Sequence, residues 1–222
     1  GNSLHEEEPL DPARPIVDPH HHLWDHGNVP GVVNGAKPFL LREFVRLIEA
    51  SGHRVTRTVY VECMSMYRSD GPRDFRPVGE TEFANGMAAM AASGRYGACF
   101  VAAGIVATAN LRLGNESQPV IEAQIAAGNG RLRGLRFSTA YADAGLFGRE
   151  PDLSRKGVLS DPSFRDAVRL MHRYDLSLDV FCMHSQLAEV AALAAACPDT
   201  RVIVDHVGTP LRFDAHLGSK AE

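Results

Sequence analysis

Short runs rich in β-branched residues alternate along this chain with longer Ala- and Leu-rich stretches whose apolar residues recur at helical spacing. That alternation restricts the fold more than any other feature, because strands separated by helices pair in parallel as βαβ units. Strands are expected over residues 15–18, 55–61, 98–106, 134–137, 176–182 and 201–204. A first helix is expected after Lys37-Pro38, with Leu40, Phe44, Leu47 and Ile48 on one face and Gly52 closing it. Further helices are expected over 80–93, over 115–127 up to Gly128-Asn129-Gly130, and over 186–196. Between the last two, Ser160-Asp161-Pro162 opens a helix to about Tyr174, with a capping side chain just ahead of a proline in the first turn. The reading is an α/β fold of six strands and five helices.

Composition narrows the function classes. Of the 222 residues, 45% are apolar and 23% charged, which suits a packed globular chain and excludes a disordered one. No run approaches the roughly 18 consecutive apolar residues that a membrane span requires. A net charge of -4 lacks the basic excess of nucleic-acid binders. Cys63, Cys99, Cys182 and Cys197 are far apart and each lies in an apolar run, so they read as packed free thiols of a reducing, cytoplasmic setting. Residues 1–14 read as a flexible N-terminal segment preceding one domain over 15–222.

The chemistry concentrates where strands end, the place at which parallel α/β folds gather reactive groups. Five of the ten histidines lie there: His20, His21 and His22 after the first strand, His184 after the fifth and His206 after the sixth. Alternate residues of an extended chain project together, so His20 and His22 face one side, with Asp18, and His21 the other. Two imidazoles so placed can share a metal ion. His184 is a candidate third ligand, although a histidine at a helix start also bonds backbone. His206, in Asp205-His206-Val207-Gly208-Thr209-Pro210, is a candidate ligand or general acid/base. Asp205 is expected to point away from it along the strand. Glu62 reads equally as a substrate or histidine partner and as a carboxylate meeting a neighbouring cation. Tyr67 joins it as a substrate-binding candidate. Arg136, at the fourth strand's end, can clamp a carboxylate or polarise a carbonyl. Cys63 and Cys182 read as packing residues. Loops over 23–37, 64–78 and 139–160, carrying Trp24, Tyr67, Arg68, Arg73 and Tyr141, suit a polar, anionic ligand.

The histidine pair, Gly134-Leu135-Arg136 and the Asp205-His206-Val207-Gly208-Thr209-Pro210 turn, in this order, resemble the amidohydrolase superfamily. Within it they resemble the amidohydrolase-related branch of sugar-lactone hydrolases and pyrone dicarboxylate lactonase. The likeness extends from about Ile16 to Leu217. It implies a (β/α)8 TIM-barrel fold, of which this sequence carries about the first six βα units. It implies His20, His22 and His184 as metal ligands and His206 and Arg136 as catalytic residues, beside which Glu62, Tyr67 and Arg136 are read from their positions as substrate-binding residues. It also implies one divalent metal ion, zinc in most such members, whereas the pyrone lactonase type works without one. The family's general base is an aspartate after strand eight, which no residue here matches. A full barrel takes about 250 residues, so the expectation is of completion by a further C-terminal segment or by homo-oligomer formation.

Hydrolysis of a lactone or ester of a small carboxylated or sugar-acid compound is the activity this implies. A metal-dependent decarboxylase or hydratase of the same superfamily would use the same histidines. A catalytically silent binding protein would keep the histidines without the base. No nucleic-acid or membrane partner is expected.

Overall fold

The computed structural model describes residues 8–25, 37–143, 145–146 and 150–210. The expected loop over 23–37 therefore lies largely outside the described residues, as do His5, His26, Asp214 and His216 and part of the 139–160 loop. In chain order the elements are β1 (Pro15–His21), α1 (Leu41–Ala50), β2 (Arg54–Val61), α2 (Val78–Ala92), β3 (Phe100–Ala107), α3 (Gln118–Gly128), β4 (Leu132–Ser138), α4 (Pro162–His172), β5 (Ser177–Phe181), α5 (Leu187–Ala196) and β6 (Val202–Val204). The class is α/β: among the described residues, each strand but the last is followed by a helix. Among the described residues, no helix is long and apolar enough to cross a membrane.

The chain divides into two compact units, one built from Gly1–Ala107 and Gln124–Leu132, the other from Thr108–Ala123 and Arg133–Glu222. In the first, β1 pairs with β2 and β2 with β3, both in parallel. The register slips between Arg57 and Val59. There the buried Thr58 hydroxyl accepts the Ala102 N–H at 2.9 Å, satisfying a donor that the slip takes from the ladder. Helix α1 buries Leu41, Phe44 and Val45. Leu47, expected on the buried face, is 58% exposed, because the apolar stripe centres on Leu41 and Val45.

In the second unit β4, β5 and β6 form a parallel ladder, in which Gly134 lies beside Ser177 and Arg136 beside Asp179. Helix α4 starts as its sequence dictates. Asp161 accepts the N–H groups of Ser163 at 2.8 Å and Phe164 at 3.2 Å, and Pro162 takes the first helical position. Phe164, Leu135, Leu159, Met171 and Leu178 are fully buried in this unit. All four cysteines are free, with Cys99, Cys182 and Cys197 buried and Cys63 half-buried.

Candidate functional site

In the first unit the end of β1 sorts its three histidines by face. The Nε2 atoms of His20 and His22 lie 3.3 Å apart, their rings edge to face. His22 donates its Nδ1–H to the Val61 carbonyl at 2.7 Å, which leaves the Nε2 lone pair of the neutral ring pointing at His20. A backbone carbonyl holding the far nitrogen is the support that metal-binding imidazoles use. Two nitrogens bound at about 2.0–2.1 Å to a tetrahedral ion stand about 3.3 Å apart, so this pair fits one edge of a zinc site. Asp18 holds the run from the side, its Oδ1 accepting the His20 N–H at 3.1 Å.

His21 points the other way. It is 6% exposed, stacks on Phe44 with ring centroids 4.3 Å apart, and donates Nδ1–H to the Val59 carbonyl at 2.8 Å. Burial lowers its pKa to about 4, so it is a neutral core histidine.

The loop after β2 carries Glu62 and Tyr67. Glu62 extends the ladder, donating its N–H to the Val106 carbonyl at 2.9 Å. Burial, then the Glu62 carboxylate, holds the Tyr67 phenol above its ordinary pKa, although the residue as a whole is 38% exposed. Beneath this loop lies Glu80 of α2, which sequence reasoning missed. A glutamate in a helix's first turn reads as a surface complement to the helix dipole, yet Glu80 is 2% exposed.

In the second unit Arg136 projects from β4 and donates Nε–H to Asp205 Oδ2 at 2.7 Å, the two side chains being 11% and 2% exposed. Its guanidinium lies over the Phe181 ring, 5.2 Å from the centroid. Phe181 in turn meets the His206 ring edge to face at 5.7 Å. Arg136 and His206 thus share one aromatic neighbour. Asp205 departs from expectation because β6 ends at Val204 and residues 205–208 form a tight 3-10 turn. His206, Val207 and Thr209 there take positive φ values of 51°, 54° and 47°. A β-branched residue in that region is strained, and such strain concentrates at functional turns. The turn buries Asp205 but keeps its carboxylate within 4.8 Å of a ring nitrogen of the exposed His206, so the two do not point apart.

Asp179 of β5 is 5% exposed, and its pKa is pushed up to about 6, first by burial and then by Asp205, against the Ser177 hydroxyl and Arg136. His184 is exposed and opens the short turn after β5. That turn is tied to the β4 loop by the buried Gln186, whose Oε1 accepts the N–H groups of Tyr141 at 3.0 Å and Met183 at 3.2 Å while its Nε2 donates to the Thr139 carbonyl at 3.0 Å.

The structure therefore joins His20 to His22 in one unit, and Arg136 to Asp205, Phe181 and His206 in the other. The pairings of Asp205 with Arg136, Glu80 with Tyr60 and Gln186 with Thr139 join residues 69, 20 and 47 positions apart, so no local pattern announces them.

Comparison with known proteins yields matches at family, sequence and structure level. A family model described as amidohydrolase matches residues 17–221. A Sinorhizobium fredii protein, named only as uncharacterized, is 27% identical over 217 residues, covering 91% of this chain and 65% of the relative. An amidohydrolase of Burkholderia multivorans, solved with bound zinc, superposes with a TM-score of 0.58 at 21% identity, over 87% of this chain and 58% of that one. An amidohydrolase from Bifidobacterium longum subsp. infantis superposes with a TM-score of 0.53 at 16% identity, over 88% and 62%. The chain thus spans about three fifths of the length of the proteins it matches, and those superpositions carry the fold class: a (β/α)-barrel type, with six parallel strands and five helices among the described residues.

Proposed function

The chain belongs to the amidohydrolase family, and from that premise we propose that it works as a hydrolase opening a lactone or ester of a small carboxylated or sugar-acid compound, with one divalent ion, zinc, at its site. The observation that carries this reading is the 3.3 Å approach of the His20 and His22 Nε2 atoms, with the far nitrogen of His22 fixed on a backbone carbonyl. The zinc bound to the Burkholderia multivorans amidohydrolase supports the choice of metal. His20 and His22 would hold the ion through Nε2, and His184, on the turn after β5, would be the third ligand. Such an ion, when bound, polarises a carbonyl and lowers the pKa of water from 15.7 towards about 7.

The rest of the chemistry belongs to the side chains. Val61, through its carbonyl, keeps the proton of His22 on Nδ1 and so keeps Nε2 a ligand. Arg136 would bind the substrate carboxylate or the developing oxyanion. Its plane is set beforehand by Asp205 on one edge and Phe181 beneath it, so little ordering remains to be done when charge develops. His206 would pass a proton to the ring oxygen as it leaves. Glu62 and Tyr67 would contact the substrate's polar groups. The partner so read is a small molecule, in keeping with a net charge of -4, and four free thiols suit a cytoplasmic setting.

The test is the His20→Ala, His22→Ala double variant, assayed for bound zinc by elemental analysis and for turnover of a panel of lactones and esters against carboxylated dienes and aromatics. The unaltered protein should bind zinc and turn over lactones or esters, and the variant should lose both with an unchanged circular dichroism spectrum. Bound zinc unaffected by the double substitution would remove the site, and turnover confined to the dienes and aromatics would replace hydrolysis by decarboxylation or hydration.

A further inference from the structure

We propose that Glu80 is a positioning residue that, through a single carboxyl oxygen, moulds the loop after β2 and so presents Glu62 and Tyr67. The consequence for substrate rests on the reading of those two residues given above; the moulding itself rests on geometry alone. Glu80 is the third residue of α2 and is 2% exposed. Its Oε1 gathers three donors: the Tyr60 hydroxyl at 2.8 Å, the Cys63 N–H at 2.7 Å and the Ser65 N–H at 3.2 Å. Its Oε2 is enclosed and has no hydrogen-bond partner among the described residues. All three hydrogen bonds converge on one oxygen, so Oε1 alone carries the hold on the loop. Burial raises the Glu80 pKa, against the opposing pull of those same hydrogen bonds.

The groups facing it are neutral. Burial and Glu80 raise the Tyr60 phenol, and burial with Glu80 pushes the Cys63 thiol up to about 12. Both keep their protons at neutral pH.

The loop shows why such a mould is needed. Met64 and Met66 hold positive φ values of 63° and 55°, which side-chain-bearing residues keep only where their surroundings impose them. The two N–H groups that Glu80 holds flank Met64. The neighbouring Gly79 serves Met66, since a Cβ there would lie 2.6 Å from the Met66 carbonyl oxygen and 2.9 Å from the Arg68 nitrogen. Arg68 N–H in turn donates to the Arg76 carbonyl at 2.9 Å. The approach to α2 and its first turn thus form a template against which residues 63–68 are pressed.

Three measurements test this. In the unaltered protein, hydrogen exchange of the Cys63 and Ser65 amides should be at least about tenfold slower than that of Met64; equal rates would overturn the mould. Cys63 labelling by an aromatic disulfide, located by peptide mass spectrometry, should rise at least about tenfold in Glu80→Ala and stay within about threefold of the unaltered rate in Glu80→Gln. Glu80→Gln labelling as fast as Glu80→Ala would show that an acceptor at Oε1 does not hold the loop, and a slow Glu80→Ala would show that nothing is held; either sinks the proposal. Should Glu80→Ala fail to fold, the exchange pattern and Glu80→Gln decide. With a lactone or ester that the unaltered protein turns over, Glu80→Ala should raise KM more than it lowers kcat, and Glu80→Gln should restore both. A protein that turns over no such compound would refute the hydrolase reading while the exchange and labelling results still judge Glu80.

Discussion

Removing the Asp205 carboxyl would strip the Arg136 guanidinium, 11% exposed, of the carboxylate 2.7 Å from its Nε. Losing one partner of a buried pair costs about 3–5 kcal/mol, whereas replacing both by apolar groups is often neutral. Asp205→Ala should therefore lower unfolding free energy in urea by about 3 kcal/mol, and Arg136→Met with Asp205→Leu should recover most of it. A double variant no more stable than the single one would assign the loss to the turn over 205–208 rather than to the pair. Arg136 was legible in the sequence, because a cation closing a β-rich run stands out. Asp205 was not, since its inward turn depends on positive φ at His206 and Val207, and a β-branched valine gives no sign of that conformation. Glu80 was hidden for a related reason: a carboxylate in a first helical turn is ordinary, and only the fold brings Tyr60 and the Cys63 amide to it.

Elements were more legible than residues, because their signals are local. Asp161-Pro162 predicts a helix start from two neighbours, and the capping bonds at 2.8 and 3.2 Å form there. Asp161→Ala should cost about 1 kcal/mol, read as a lower urea midpoint at unchanged slope. Gly134 makes a different point. Its sequence places it at the start of the fourth strand, and it lies inside β4, where a Cβ would come within 2.8 Å of the Ser177 carbonyl oxygen. Gly134→Ala must force β4 from β5, at roughly 1–3 kcal/mol, with faster exchange of the β5 amides as its signature. A variant as stable as the parent would mean that the two strands are not so tightly paired. Where the helical period misled, at Leu47, the local pattern allowed two neighbouring faces and packing chose the one through Leu41 and Val45.

Across the whole chain, two buried groups give proton linkage of opposite sign, and their balance sets how the molecule meets acid. His21 falls from the ordinary 6.5 to about 4. Unfolding therefore takes up a proton between about pH 6.5 and 4, and stability is lost as pH drops through that window. Asp179 rises from the ordinary 3.8 to about 6. Here the folded chain holds the proton more tightly, so stability is regained as pH drops from about 6 to 3.8, and the full cost applies above pH 6. At 1.36 kcal/mol per unit each effect is on the order of 3 kcal/mol, and Glu80, raised like Asp179, adds to the second. The effects of His21 and Asp179 nearly cancel between about pH 7 and 4.5, so with Glu80 the parent chain should hold or gain stability on acidification. Relative to that slope, His21→Phe, which keeps a ring against Phe44, should gain more on acidification, and Asp179→Asn less. Urea unfolding at pH 7 and 4.5 measures both slopes; the change in slope, rather than the absolute cost of either substitution, carries the test. If His21→Phe kept the parent's slope, His21 would have to be charged, or solvated, in the folded chain, and its burial between Phe44 and the Val59 carbonyl would not be what excludes its proton.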